Sequence, residues 1–190
     1  MPCSPYVRRR TDAGNRVPPN WQWEALDAGS SDGTWWSDGE QYKGIEASIA
    51  AVEAAVLDTG AAGIIGHEQG ATLAAIVAAR AALGEGPALK FVVVCGGTMP
   101  TGKYAGVLER QRDDSTVEPI CSLHCFDKGM DGAKSAEELA ACFAPSAEIL
   151  WHENGIALPA ASWWEQTRAF PERVTGGKQW CTQFKGPFNY

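Results

Sequence analysis

The stretch that most restricts the fold is GIIGHEQGATLAAIVAARAAL, from Gly63 to Leu83. Ile64 and Ile65 favour an extended strand, and Gly66 and Gly70 bracket a corner that leads into an Ala-rich helix. A strand can turn this sharply into a helix only where side chains are missing, because the two backbones must come close. The next apolar run, FVVVC from Phe91 to Cys95, is continuous rather than alternating. That pattern fits a parallel strand buried on both faces. Strand, helix and strand in this order make a βαβ unit, so a mostly parallel sheet flanked by helices is the expected architecture.

The rest of the chain agrees. Ile45, Ile49, Val52 and Val56 recur at helical spacing between Lys43 and Thr59, and Gly60 stops the pattern. ICSLHCF, residues 120–126, reads as a strand with Asp127 at its carboxyl end, and AEILWH, residues 147–152, as another. Ser135 and Glu138 have the spacing of a capping box for a helix through Phe143. Pro159 opens a last helix that Pro171 should end. Residues 96–118 give only a weak helical signal and are expected to be a loop. Residues 1–40 are expected to form an irregular N-terminal arm, 41–171 one α/β domain, and 172–190 a C-terminal tail.

Composition restricts the function class. A net charge of -7 repels nucleic-acid phosphate, so no nucleic-acid partner is expected. No window approaches the roughly 20 apolar residues that span a bilayer, so no transmembrane segment is expected. The basic start of the chain lacks the apolar stretch of a secretory signal. Six cysteines without framework spacing point to reduced thiols and a soluble, reducing compartment.

Chemistry-bearing motifs are few. GGTMPTGK, residues 96–103, matches a phosphate-binding loop in outline. Tyr104 stands where such a loop needs Ser or Thr, however, and Pro100 removes an amide from the cradle. Cys121, His124 and Cys125 suggest metal ligands, yet residues 124 and 125 of a strand point to opposite faces and cannot share an ion. No metal and no cofactor are expected. Glu46, Glu53, Asp58, Glu137 and Glu138 read as solvated or capping carboxylates.

Several segments together resemble a known family. GIIGHEQGATLAAIV, FVVVCGG with Met99-Pro100, SLHCFDKG and WHENGIALP are similar in order and spacing to the FSH-type serine hydrolases, esterases of the α/β-hydrolase fold. The resemblance covers about residues 40–170. It implies a nucleophile elbow at Gly66, His67, Glu68, Gln69 and Gly70, an acid at Asp127 and a catalytic histidine at position 156. Glu68 stands where the nucleophilic serine should be, and Ile156 where the histidine should be. No strand is evident before Lys43, so the sheet is expected to lack the family's first strands and the oxyanion-hole amide that they position.

These departures imply a catalytically inactive pseudoenzyme. The expected role is a structural or accessory subunit of a larger assembly, such as the soluble side of an organellar respiratory or photosynthetic membrane complex. Trp21, Trp23, Trp35, Trp36, Trp180, Phe184, Phe188 and Tyr190 are the candidate anchors for other protein subunits. The competing account of these aromatics is that they fold back and close the domain's own gap. Two alternatives from other classes stand beside the subunit reading. One is an esterase-type hydrolase using Glu68 in a new role, which would need a histidine from His67, His124 or His152. The other is a small-ligand binding module using the vestigial pocket.

Overall fold

The computed structural model describes residues 6–11, 20–25, 35, 42–153 and 161–175. In chain order the elements are β1 (Tyr6–Thr11), β2 (Asn20–Ala25), α1 (Ile45–Thr59), β3 (Gly63–His67), α2 (Gln69–Ala82), β4 (Phe91–Cys95), α3 (Gly102–Asp113), β5 (Cys121–Asp127), α4 (Ala133–Ala141), β6 (Ala147–His152) and α5 (Ala161–Val174). The strands form one sheet in the order β2-β1-β3-β4-β5-β6. From β3 to β6 every neighbouring pair is parallel, which gives the expected α/β sheet of four parallel strands flanked by helices.

Alternation along the strands divides the core in two. Ile64, Val92 and Val94 face one side, where they meet Ile45, Ile49, Val52 and Val56 of α1 and Leu73, Ile76 and Val77 of α2. Leu108 of α3 and Leu139 of α4 join the same layer. Ile65, Phe91, Val93, Leu123 and Cys125 face the other side, with Phe170 of α5. The Phe91 and Phe170 rings meet edge to face, centroids 6.2 Å apart. All residues of α2 from Gly70 to Ala79 are buried, and their small size lets this helix lie close on β3 and β4.

Four expectations are corrected. The N-terminal arm, expected to be irregular, contributes two strands: β1 pairs antiparallel with both β2 and β3. Three consecutive arginines, Arg8 to Arg10, erase the alternation by which a strand is recognised, although the pairing runs through the backbone and does not depend on them. The flank of β3 that the parallel strands leave open is thereby paired from within the chain. Residues 102–113, expected as loop, form α3. Gly102, Gly106 and five charged side chains leave only Tyr104, Leu108 and Gln111 as its buried stripe, too sparse for a clear period.

The last two corrections concern helix ends. α4 starts after Gly132, and the Ser135 hydroxyl accepts the Met99 N–H at 3.0 Å instead of capping its own helix. α5 continues through Pro171 to Val174, and the Pro171 carbonyl still accepts the Thr175 N–H at 3.0 Å. No described helix is long and apolar enough to cross a membrane. Cys95, Cys121, Cys125 and Cys142 are free thiols.

Candidate functional site

The corner after β3 is built by exclusion of side chains. A Cβ on Gly66 would lie 2.2 Å from the Gly70 carbonyl oxygen and 2.5 Å from the Ala71 Cα. On Gly97, at the end of β4, it would meet Val94 Cγ1 at 2.8 Å and Ala71 Cβ at 2.9 Å. These approaches force the chain to turn within one residue. Glu68 takes that turn, with φ 51° and ψ -119°. A left-handed φ of this kind on a residue with a side chain costs roughly 1–3 kcal/mol and is held only by its surroundings. Here the Glu68 N–H donates to the Cys95 carbonyl at 2.8 Å, and the Glu68 carbonyl accepts from Ala71 at 3.0 Å and Thr72 at 3.2 Å. The backbone therefore has the form of a nucleophile elbow with a carboxylate at its apex.

A hollow of about 290 Å³ opens beside this apex, lined by Tyr42, Glu68, Gln69, Thr72, Gly96, Thr98, Met99 and Pro100. It lies at the carboxyl ends of β3 and β4, where α/β sheets usually take ligands. Its wall is fixed by paired polar groups. Thr72 Oγ1 donates to the Thr98 carbonyl at 3.0 Å and accepts the Thr98 N–H at 3.1 Å. The Tyr42 hydroxyl accepts the Thr101 N–H at 2.8 Å. Gln69 Oε1 accepts the Trp35 N–H at 2.8 Å, and the Trp35 carbonyl accepts Ser48 Oγ at 2.6 Å.

Trp35, nominated as a partner anchor, is thus held in the chain's own core, where only 3% of it is exposed. It ties the segment before α1 to the elbow. Sequence reasoning placed Glu68 and Gln69 at the elbow and noted Met99 and Pro100 only as part of a resemblance, but it did not assign Tyr42, Thr72 or Thr98 to the site, because separate segments bring them together.

Asp127 ends β5, as expected. Its Oδ1 accepts the Gly129 N–H at 2.7 Å, which closes the turn after the strand. Its neighbour across the parallel pair is His152, the last residue of β6. Burial holds the His152 imidazole below its ordinary pKa, and the nearby Asp127 charge opposes that shift. An acid and a histidine therefore stand side by side, on strands separated from the elbow's own strand. His152 is three strands away from β3, about 14 Å at ordinary strand spacing.

Of the other two histidines, one is shut in the core and one stands beside the apex. His124 is enclosed in the core between Ser122 Oγ, 3.1 Å from its Nε2, and the Phe143 ring, and burial lowers its pKa to about 3. Cys125 faces the opposite layer, so these two side chains point apart across the sheet. His67 ends β3 next to the apex. Ile156, Trp36, Trp180, Phe184, Phe188 and Tyr190 lie outside the described residues, and Trp21 and Trp23 are placed only as members of β2.

A larger hollow of about 690 Å³ lies away from the strand ends, between α1, α2 and α3. Most of its charges are matched within the chain. Arg80 pairs with Glu53 at 2.8 Å, Arg110 with Glu85 at 2.9 Å, and Lys103 with Glu46. The lysine of the phosphate-loop outline is therefore turned to a carboxylate, and Tyr104 donates its hydroxyl to the same Glu46 at 2.9 Å.

The profile of the serine hydrolase (FSH1) family matches residues 3–167, so the likeness begins well before residue 40 and takes in β1 and β2. An esterase of Danio rerio, Esterase OVCA2, is 34% identical over 166 residues, covering 78% of this chain and 71% of that protein.

Proposed function

The chain belongs to the FSH1 serine hydrolase family, and from that premise we propose that it is a catalytically inactive member serving as a structural or accessory subunit of a larger assembly. The observation that carries this reading is Glu68 at the apex of an intact elbow. Attack by a carboxylate on an ester gives an anhydride, and resolving it needs a base held at the family's histidine position to activate water. Position 156 holds isoleucine, and His152 stands about 14 Å away.

The strand beside the elbow supports the same reading. β1 runs antiparallel to β3, with Tyr6 opposite Ile65 and Val7 opposite Ile64. Its carboxyl end therefore points away from Glu68. An oxyanion-hole amide comes from a loop that follows a parallel strand and arrives at the elbow, which β1 cannot supply. For the subunit role, the support is the aromatic content of the terminal segments, Trp21, Trp23, Trp36, Trp180, Phe184, Phe188 and Tyr190.

An ester panel with a serine-directed fluorophosphonate probe tests the inactive reading. No turnover above buffer and no labelling are expected, and turnover that disappears in Glu68→Gln would overturn it. The double variant Glu68→Ser, Ile156→His is expected to stay at least about a hundredfold below an active esterase, the usual loss for one missing oxyanion donor. Native mass of the protein from its source tests the subunit role: a large complex is expected, and a free monomer would refute it. One observation favours a second reading, a hydrolase using Glu68. Asp127 and His152 are register partners with a felt charge between them, and the Glu68→Gln assay decides between the two.

A further inference from the structure

We propose that Cys95 and Cys125 form an oxidisable thiol pair beside the elbow, which a small hydroperoxide converts to a disulfide between β4 and β5. The two residues are register partners on adjacent parallel strands. Both side chains lie in the same core layer, with Ile65, Val93, Leu123 and Phe170. Neighbouring strands run about 4.8 Å apart, within the roughly 4.4–6.8 Å between Cα atoms that a disulfide bridges. The thiols are free and share a hydrogen bond. No other two described cysteines lie side by side. Cys121 starts β5, about 13 Å along the strand from Cys125, and Cys142 belongs to the opposite layer.

The surroundings select the product. The layer is apolar, with Cys95 4% exposed and Cys125 fully enclosed, so a charged product is disfavoured there. A disulfide is neutral. Metal capture suits the pair less well, since no group of three metal-binding side chains exists among the described residues.

Burial, and the hydrogen bond to Cys95, hold the Cys125 thiol well above its ordinary pKa, so it keeps its proton. Cys95, at the carboxyl end of β4 and less enclosed, is therefore the sulfur that attacks. It takes one oxygen of the peroxide to form a sulfenic acid, while the other oxygen leaves as water with the Cys95 proton. The Cys125 sulfur then bonds to the Cys95 sulfur and displaces the sulfenic hydroxyl, which leaves as a second water with the Cys125 proton. The two sulfurs lose two electrons in all, and the peroxide gains them.

The bridge forms one hydrogen bond away from the elbow apex. The Cys95 carbonyl accepts the Glu68 N–H at 2.8 Å, and the Cys125 carbonyl accepts the Gly96 N–H at 2.8 Å. Oxidation therefore ties the strand that anchors the corner covalently to its neighbour, and closes a loop that contains α3. Peptide mass reads the bridge, so its outcome does not depend on whether the chain hydrolyses esters or joins an assembly.

The test is peptide mapping of the full chain after hydrogen peroxide under native conditions, with the remaining thiols alkylated in denaturant. A crosslinked peptide joining Cys95 and Cys125 is expected, two hydrogens lighter than its parts and reopened by dithiothreitol. It should exceed every other cysteine pairing by about tenfold or more, because the two sulfurs are already in contact. Oxidation in urea should erase that preference. In Cys125→Ala the sulfenic acid should persist on Cys95 and be trapped by dimedone, and the parent protein carries the test alone if that variant does not fold. No such link in the folded protein, the same mixture of links with and without urea, or irreversible oxidation of either cysteine in place of the link would overturn the assignment.

Discussion

Gly66→Ala is expected to remove about 4 kcal/mol or more of stability, enough to leave most small domains largely unfolded. The added Cβ would sit 2.2 Å from the Gly70 oxygen, 2.5 Å from the Ala71 Cα and 2.6 Å from the Gly70 carbonyl carbon. All three are backbone atoms of α2, so no side chain can rotate out of the way. Relief requires α2 to move off β3, and that helix is buried from Gly70 to Ala79. The displacement would open the layer formed by Ile64, Leu73, Ile76 and Val92.

Gly106→Ala provides the matching control. Gly106 lies inside α3, and a Cβ there meets nothing within 4 Å. Removing the conformational freedom of a helical glycine should stabilise the protein by about 0.5–1 kcal/mol. Urea unfolding of the two variants measures both effects. A Gly66→Ala protein as stable as the parent would show that the corner is looser than its contacts indicate.

The same contacts explain which parts of the fold were legible in the sequence. β4 and β6 coincide with the runs FVVVC and AEILWH, because each is a short strand-forming run bounded by chain breaks. The elbow was legible because its glycines are fixed by backbone proximity, a requirement that leaves a mark at fixed spacing. β1 was not. Its pairing with β2 and β3 is made by the backbone, while its side chains follow no apolar alternation. Ser135 illustrates a different limit. Its spacing to Glu138 suits a cap, but a nearby tertiary donor, the Met99 N–H, takes the hydroxyl instead.

The candidate site shows the same division. Glu68 and Asp127 fall at the ends of β3 and β5, which a strand pattern can locate. The hollow also needs Tyr42 from before α1 and Thr98 to Pro100 from after β4. These come together only once α1 and α2 are packed on the sheet, and no local pattern records that. Trp35 belongs to the same class, since its burial depends on contacts with Ser48 and Gln69, distant in sequence.

Acid is expected to destabilise the protein through His124, and more steeply than the carboxylates alone would predict. The ring is buried against Phe143 and beside Ser122, and burial lowers its pKa from 6.5 to about 3. In the unfolded chain the imidazole takes a proton near pH 6.5, whereas the folded protein keeps it neutral down to about pH 3. Between those values the unfolded state binds more protons, so stability falls as pH falls. The contribution is fully present above pH 6.5 and is lost on the way to pH 3. Each unit within that window is worth about 1.4 kcal/mol, so roughly 3 kcal/mol should be gone by about pH 4.

His124→Gln isolates this loss. Glutamine keeps a polar partner for Ser122 Oγ but does not titrate. The variant is expected to be less stable than the parent at neutral pH, because a shaped aromatic ring beside Phe143 has been replaced. Its decline from pH 7 to 4 should nevertheless be shallower by roughly 3 kcal/mol, and the two stability curves should converge or cross. Urea midpoints at half-unit intervals of pH would show this. Parallel curves would mean that His124 is protonated in the folded state across this range, which would require a counter-charge or water beside the ring.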